Sequence, residues 1–430
     1  MTRPLACRRA LASVLMLVLI SSQTLVGYSV LAHETIVDAA WKTDIRPLLL
    51  KRFRNATHEE LRHAHACAYG GVIIQDLGYY PYGRKFFSDL THYVRSGNFV
   101  QALLHEANDL CEYAFALGAL AHYAGDNAGH RIAVNRVVPL LYPKLKNKYG
   151  DIVTYEEDKA AHLKTEFGFD VIEVAQGRFA PDAYHDFIGF EVAQPLLERA
   201  FKETYGLELG SVLRDENKAF ESYRHAVSKT IPKATRVAWA LKKNEIQHDD
   251  PTMTRKRFLY NISRASYEKN WGKDYRAPTS GEKFLAFLFR LVPKVGPLKA
   301  LALHTPTPQA QQMFEASFNA TLRDYRRYLS EWDEGHLVLV NDNFDVGEIT
   351  PPGKYHLNDK TYAELLDRLS DSKFAAMTDD LRAEILRFYS DPNAPDTTRK
   401  DHKAWAKVQQ QLERLRTTKS ASVSTLVTSQ

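Results

Sequence analysis

The chain has 430 residues, more than one compact domain usually holds, and its 44% hydrophobic and 25% charged content is ordinary for a soluble globular protein. The formal net charge of +5 falls to +2 without residues 1–27, which contain three arginines and no acidic residue. This near balance gives no support to strong nucleic-acid binding through a basic surface.

Residues 1–27 have the organisation of a secretory signal peptide. Three arginines precede the apolar run Leu11–Ile20, and small and polar residues follow it. The run is short for a membrane span, so an uncleaved anchor is the less favoured alternative. Cleavage in front of Tyr28 is predicted, and cleavage in front of His33 is the alternative. The sequence therefore predicts a protein that is secreted or periplasmic.

Two cysteines remain after such cleavage, Cys67 and Cys111. Outside the cytoplasm they could form one disulfide, but two cysteines make no disulfide framework and would be equally compatible with buried thiols. The sequence leaves both states open.

Helical periodicity dominates the rest of the chain. Between about Asn98 and Asp126 apolar residues recur at spacings of three, four and seven, which predicts one long helix. Glycines near its end predict that His130 lies in a turn. Further helices are predicted at about 155–175, 186–203, 211–242, 308–332, 360–369 and 379–388. Strand-like alternation is scarce, with His336–Val340 the clearest candidate, so the predicted fold class is all-α.

Composition divides the chain after the signal into three parts. Residues 28–245 are predicted to form the catalytic domain, 246–416 a mostly helical extension of unknown role, and 417–430 a disordered Ser/Thr-rich tail. The apolar stretch 284–303 contains three cations and could contact a membrane surface transiently. A buried helical hairpin is the favoured alternative, because apolar stretches usually pack inward.

Two histidine–carboxylate pairs stand out in this helical background. His122 and Asp126, and further on His162 and Glu166, are each four residues apart, which places both side chains on one helix face. Nitrogen and oxygen ligands of this kind suit zinc or a similar first-row metal. One pair alone is weak evidence, but two pairs with His130 between them predict a polynuclear metal site.

Other candidate ligands precede these pairs, and the ordered series resembles the zinc-dependent phospholipase C family and the related fungal single-strand-specific nucleases. The resemblance covers roughly residues 28–170 and implies a helical fold with a cluster of three zinc ions. The series consists of Tyr28, His33, Asp76, His92, His122, Asp126, His130, His162 and Glu166. Members of the family commonly begin with Trp, but the ligating atoms would be backbone atoms, which Tyr28 also supplies.

The resemblance implies three ligand sets. One zinc ion would be held by Asp76, His92, His122 and Asp126. Asp126 would bridge to a second ion, held also by His33 and by the amine and carbonyl of Tyr28. The third ion would be held by His130, His162 and Glu166. Asp76 would in addition orient or deprotonate the attacking water. Among the remaining histidines His63 and His65 are the reserve candidates, and both are interpreted as ordinary helix-surface residues.

The predicted function is therefore an exported zinc-dependent phosphodiesterase of phospholipase C type, acting on a phospholipid or another phosphodiester. A single-strand-specific nuclease is the first alternative, since Tyr79–Tyr82 could stack bases. The near-neutral charge argues against it, and no stable nucleic-acid partner is expected. The second alternative is a non-catalytic helical protein that metal ions stabilise.

Overall fold

The computed structural model describes residues 30–80, 82–175, 191–225 and 307–418. Within these ranges the chain is helical and contains no strand, only an isolated antiparallel bridge between Asn343 and Glu348. The all-α prediction is confirmed. None of the helices in these ranges has the length and apolar character needed to cross a membrane.

The helices up to residue 225 surround one central pair. They are α1 Val30–Ala40, α2 Arg46–Arg52, α3 His58–Val72, α4 Lys85–Tyr93, α5 Ser96–Glu106, α6 Leu110–Gly129, α7 Asn135–Leu141, α8 Pro143–Tyr149, α9 Lys159–Ala175, α10 Gln194–Tyr205, α11 Leu209–Val212 and α12 Glu216–His225. Single helical turns join some of them, at Trp41–Ile45, Ile74–Tyr79 and His130–Val134. The described C-terminal part adds α13 Pro308–Asp333, α14 His356–Asp371, α15 Asp379–Phe388 and α16 His402–Thr417.

The central pair is α3 and α6, which cross at glycines. A Cβ on Gly118 would lie 2.1 Å from the carbonyl oxygen of Ala68, and one on Gly71 would lie 1.9 Å from that of Phe115. Only glycine allows backbones to approach this closely. A disulfide between Cys67 and Cys111, with Cα atoms 5.4 Å apart, also joins the two helices. The structure therefore contains the disulfide, which is one of the two states that the sequence left open. This bond fixes α6 to α3 at the centre of the molecule.

The single long helix predicted from Asn98 to Asp126 is wrong. The chain forms α5 and α6 with a break between them, because Asp109 caps α6 and its side chain accepts the backbone N–H of Glu112 at 2.8 Å. A carboxylate at this position satisfies an N–H group that the first helical turn leaves without a partner.

The predicted turn at His130 is wrong as well. The helical path continues through the glycines into the π-helical turn His130–Val134. Gly125 instead makes room for a neighbouring side chain, since a Cβ there would lie 3.1 Å from ring atoms of His33. A helical glycine costs only about 1 kcal/mol relative to alanine, which tertiary packing readily offsets.

The C-terminal helices pack on the same hydrophobic core as the N-terminal ones. Helix α13 lies along α6, where the buried Tyr325 hydroxyl donates a hydrogen bond to the carbonyl of Leu117 at 2.9 Å. Arg95, buried between α4 and α5, pairs with Asp380 at 2.5 Å and Glu384 at 2.7 Å on α15. Residues beyond the predicted boundary at 245 therefore contact the helices that carry the histidine–carboxylate pairs.

The segment His336–Val340 is extended but has no strand partner in the described chain. It lies along α5, where Gln101 donates to the carbonyl of Leu337 at 3.1 Å and accepts the N–H of Leu339 at 3.3 Å. Both leucines are buried, whereas Val338 is 76% exposed. The alternating sequence therefore does correspond to alternating burial, but the segment packs against helix α5 and not against a neighbouring strand.

The other predicted helices agree with the structure to different extents. The helix expected at 155–175 begins at Lys159, and those expected at 308–332, 360–369 and 379–388 occur as α13, α14 and α15. The helix expected at 186–203 is seen from Gln194. Of the helix expected at 211–242, the part from Glu216 to His225 is seen as α12, and residues 186–190 and 226–242 of these two predictions lie outside the described residues. The signal segment, Tyr28, the apolar stretch 284–303 and residues 419–430 lie outside the described residues.

Candidate metal centre

The structure brings together eight of the nine predicted ligands, and the ninth, Tyr28, lies outside the described residues. All eight are buried. They come from α1 (His33), the turn Ile74–Tyr79 (Asp76), α4 (His92), α6 (His122 and Asp126), the turn His130–Val134 (His130) and α9 (His162 and Glu166). In the described residues their ligand atoms form three groups within which all atoms lie less than 4.8 Å apart, and two of these groups share His122.

The first group combines Asp76, His92 and His122, with Asp126 beside it. The Nε2 atom of His92 lies 3.3 Å from Asp76 Oδ1 and 3.4 Å from Asp126 Oδ2, and His122 Nε2 lies 3.1 Å from the same Oδ2. Nitrogen and oxygen ligands at their usual distance from a tetrahedral zinc ion are about 3.4 Å apart. The spacing of these atoms therefore fits a zinc ion between them.

The Nδ1 atoms of His122 and His92 orient the two rings through hydrogen bonds to backbone carbonyls. His122 Nδ1 lies 2.8 Å from the carbonyl oxygen of Val72, and His92 Nδ1 lies 2.8 Å from that of Ser88. A carbonyl only accepts, so each Nδ1 carries a proton, and each Nε2 would present its lone pair to an ion bound at the centre of the cluster. This arrangement is typical of metal-ligating histidines.

Asp126 connects the first group with the second. Its Oδ2 faces His92 and His122, whereas its Oδ1 lies 3.3 Å from His33 Nε2 and 3.9 Å from His130 Nε2. The rings of His33 and His122 stack with centroids 4.3 Å apart. A carboxylate whose two oxygens face different histidines has the geometry of a ligand that bridges two ions.

The third group contains His130, His162 and Glu166. Glu166 Oε1 lies 2.9 Å from His162 Nε2 and 3.1 Å from His130 Nε2. Neither oxygen of this buried carboxylate accepts a geometrically good hydrogen bond within the described ranges. A buried carboxylate without hydrogen bonds is costly, and a cation held between these atoms removes that cost. The residues present therefore fit a metal ion.

Acidic and basic groups compensate one another in the cluster when no ion is bound. Burial opposes the charged forms, but Asp126 and Asp76 outweigh it and raise the pKa of His92 to about 9. Likewise Asp126 and Glu166 outweigh burial and raise the pKa of His130 to about 10. The pKa of Asp126 is well below its usual value, because His122 and His130 outweigh burial there. Metal ions would replace the protons on these rings, so their binding should release protons.

Sequence reasoning missed two residues that reach the cluster from the C-terminal part. Asp345 Oδ1 lies 3.6 Å from His130 Nδ1 and 3.8 Å from His162 Nε2, and the side chain is 2% exposed. The ring of Phe344 packs against that of His92 at 5.3 Å between centroids. Neither residue has a helical spacing to another ligand. The only signal in the sequence is the polar run Asn341–Asn343 after an apolar segment.

His65 corrects the interpretation of the reserve histidines. It is buried, its Nε2 lies 2.9 Å from Asp38 Oδ1, and its ring stacks on Trp41 with centroids 3.8 Å apart. It is therefore a core residue and not a helix-surface residue, whereas His63 is exposed as expected.

Cations and aromatic rings line one side of the cluster. Tyr79 packs against His92 with centroids 6.0 Å apart, and Tyr155 packs against His162 at 5.6 Å. The Lys85 ammonium lies 5.9 Å from the centroids of both tyrosine rings. Burial lowers the pKa of Lys85, against the effect of Asp89. The Lys85 ammonium also forms an ion pair with Asp89, so its charge is already compensated, and the exposed Lys159, 5.4 Å from the centroid of the Tyr155 ring, carries the positive charge on this side.

Comparison with known proteins identifies one family. Residues 32–214 match the family described as zinc dependent phospholipase C. The eight gathered ligands lie inside the matched segment, whereas Phe344 and Asp345 lie outside it. No curated protein and no solved structure matches the chain.

Proposed function

We propose that this protein is an exported phospholipase C that hydrolyses the phosphodiester of phospholipids with a cluster of three zinc ions, and the match of residues 32–214 to the zinc dependent phospholipase C family supports this. The observation that carries the proposal is the position of Asp126, whose two oxygens face His33 and His130 on one side and His92 and His122 on the other. This carboxylate joins the three ligand groups into one centre.

The reaction follows from the chemistry of such a centre. Zinc held by these histidines and carboxylates would lower the pKa of a water molecule to near neutrality and withdraw charge from the phosphate oxygens. Asp76 is buried, and its carboxylate, whose Oδ1 faces His92 as a zinc ligand, would also orient the attacking water or accept its proton. His92 and His122, held by carbonyls through Nδ1, keep the ligand geometry constant during the reaction.

The surroundings of the cluster support an anionic substrate. Lys85 and Lys159 lie near the rings of Tyr79 and Tyr155, which themselves border the ligands. Lys85 is paired with Asp89, so the Lys159 ammonium is the group that would attract a phosphodiester, and the tyrosine rings offer apolar surface beside it. This combination fits a phosphate that carries an organic head group.

The disulfide supports the proposed export. Disulfides persist in oxidising compartments and are rare in the cytosol. The bond between Cys67 and Cys111 connects the two central helices, one of which carries His122 and Asp126. Export through the predicted signal segment would place the chain where this bond can form.

Three substrates tested side by side distinguish the candidate functions. The zinc-loaded protein is incubated with phosphatidylcholine vesicles, with single-stranded DNA and with bis(p-nitrophenyl) phosphate. We expect release of a phosphorylated head group, faster than cleavage of DNA. Faster cleavage of DNA than of any phospholipid would identify a nuclease, and bound zinc without turnover would identify a non-catalytic protein.

Variants of Asp76 test its role. Asp76→Asn is expected to lower kcat by at least about 100-fold, since positioned acid–base groups contribute factors of 10² to 10⁴. Asp158→Asn is the matched control, because Asp158 accepts an N–H at the start of α9 and asparagine caps helices equally well. Equal activity of the two variants would exclude Asp76 from the reaction.

A further inference from the structure

A carboxylate from outside the matched segment faces the third ligand group. We propose that Oδ1 of Asp345 is a fourth protein ligand of the ion held by His130, His162 and Glu166. The inference rests on the zinc centre of the proposed function and goes beyond it, because it makes the C-terminal part of the chain a component of the metal site.

The distances around His162 fit a shared ion. Its Nε2 lies 2.9 Å from Glu166 Oε1 on one side and 3.8 Å from Asp345 Oδ1 on the other. Both values lie near the separation of about 3.4 Å between neighbouring ligands of a tetrahedral zinc ion. His130 Nε2, 3.1 Å from Glu166 Oε1, supplies the remaining ligand. Asp345 Oδ1 lies 3.6 Å from the other ring nitrogen of His130, Nδ1, so it would complete the ligand set from the side of His162.

The two oxygens of Asp345 have different surroundings. Oδ2 accepts hydrogen bonds from the backbone N–H of Tyr155 at 2.9 Å and from the hydroxyl of Tyr355 at 2.6 Å. Oδ1 accepts none from the described chain, although it is buried. Such an oxygen lacks compensation unless a cation lies beside it. A carboxylate fixed through one oxygen, with the other aimed at ligating side chains, has the arrangement of an oriented metal ligand.

The backbone of Asp345 is held as firmly as its side chain. Its carbonyl accepts a hydrogen bond from Asn135 Nδ2 at 2.5 Å, and its N–H donates to Asn343 Oδ1 at 3.0 Å. Next to it, the N–H of Phe344 donates to the carbonyl of His92 at 3.0 Å. These bonds attach the segment to the helices of the cluster, so the position of Oδ1 is defined by the fold.

A close backbone approach completes the attachment. Gly347 has a φ of +68°, and a Cβ there would lie 2.5 Å from the carbonyl oxygen of Asn127 at the end of α6. Glycine alone combines this left-handed conformation with that approach. The turn after Asp345 is therefore built to lie against the helix that carries Asp126.

Asp345→Asn tests the proposal with little disturbance of the fold. The amide oxygen of asparagine can keep both hydrogen bonds of Oδ2, while its NH₂ group, which cannot ligate zinc, replaces Oδ1. Asp342→Asn is the matched control, because Asp342 lies on the same segment and its carboxylate contacts Tyr123 instead of the cluster. Each protein is stripped of metal, and Zn²⁺ affinity is measured by competition with a chromophoric chelator. Co²⁺ spectra and melting temperatures with and without zinc complete the comparison.

We expect Asp345→Asn to weaken the binding of one ion by more than about 100-fold, beyond the 10–100-fold loss typical of residues that only orient a ligand. Its Co²⁺ spectrum should also change, while Asp342→Asn behaves as wild type. The zinc-induced rise in melting temperature, compared within each protein, should be smaller in Asp345→Asn than in wild type. Unchanged affinity, an unchanged Co²⁺ spectrum or an undiminished zinc-induced rise would each overturn the proposal. Wild-type protein that binds no zinc would overturn the proposed function as well.

Discussion

Replacing Asp126 with asparagine removes the carboxylate on which the proposed three-ion arrangement depends. Its Oδ1 and Oδ2 face four histidines at 3.1 to 3.9 Å, so two ions lose a ligand when it is replaced. We expect Asp126→Asn to lose more than one of the ions that wild type binds. Elemental analysis of zinc per chain, after dialysis at a fixed free zinc concentration, measures this loss directly.

The same substitution should be visible in stability. An ion whose free concentration is 100 times its Kd stabilises the folded state by about 2.7 kcal/mol, so losing two such ions removes about 5 kcal/mol. The unfolding entropy of a folded unit of about 400 residues is about 0.8 kcal/mol/K, so about 1 kcal/mol corresponds to roughly 1 °C and the zinc-induced rise in Tm should be smaller by about 5–6 °C. Comparing the rise with and without zinc within each variant separates ion binding from the loss of buried charge.

Asp109→Asn is the control on the same helix. Asp109 caps the start of α6, where asparagine is an equally good cap, so zinc content and Tm should stay close to wild type. Asp126→Asn protein that keeps all its zinc would refute the bridging role. Wild-type protein that binds one ion or none after zinc supplementation would refute the cluster itself.

The remaining predictions concern the disulfide, the zinc-free cluster and the helix crossing. Replacing both Cys67 and Cys111 with alanine should lower the free energy of unfolding by about 4 kcal/mol, since the bond closes a loop of 44 residues; an unchanged urea midpoint would contradict this. In EDTA, His92 and His130 have pKa values raised to about 9 and about 10 from the ordinary 6.5. The stability they contribute is complete below pH 6.5 and is lost as pH rises through 9 to 10. The melting temperature without zinc should therefore fall over this range, and a rising one would show that the rings are not protonated. Gly118→Ala places a methyl group 2.1 Å from a carbonyl oxygen of α3 and should destabilise the fold by about 1–3 kcal/mol, measured by urea unfolding; a stabilised variant would mean that the helices can separate freely.

Local spacing explains why so much of the site could be predicted. A pair four residues apart on a helix shares one face, so His122 with Asp126 and His162 with Glu166 required no knowledge of the tertiary fold. Helical periodicity likewise sufficed for the all-α class and for helices such as α13 and α15. The ordered resemblance then indicated which distant residues join the pairs.

Features that depend on competition between local and tertiary interactions were missed. The apolar stripe continued across residues 107–109, but the cap formed by Asp109 ended one helix and began the next. The glycines near His130 suggested a turn, but the helix continues through them, and Gly125 packs closely against α1. Both errors arose because propensity is a weak signal beside packing.

Asp345 was missed for a different reason. No periodicity relates it to the other ligands, and only the course of the chain along α5 brings it to His130 and His162. Similarly, nothing in the sequence alone could decide whether Cys67 and Cys111 pair, since pairing depends on how α3 and α6 cross. Contacts of this kind become visible only in three dimensions.

The contact between Phe344 and His92 has a consequence for the order of folding. More than half of the chain separates these residues, yet a backbone hydrogen bond of 3.0 Å joins them beside the ligands. Closing so long a loop costs chain entropy, and the contacts that offset this cost exist only after the loop has closed. Such contacts therefore form late. The wall that Phe344 and Asp345 provide would therefore be among the last parts to assemble. Before the segment with Phe344 and Asp345 has been synthesised and packed against the helices, the metal centre would be incomplete. The proposed phosphodiester cleavage would therefore begin only once the whole molecule has folded.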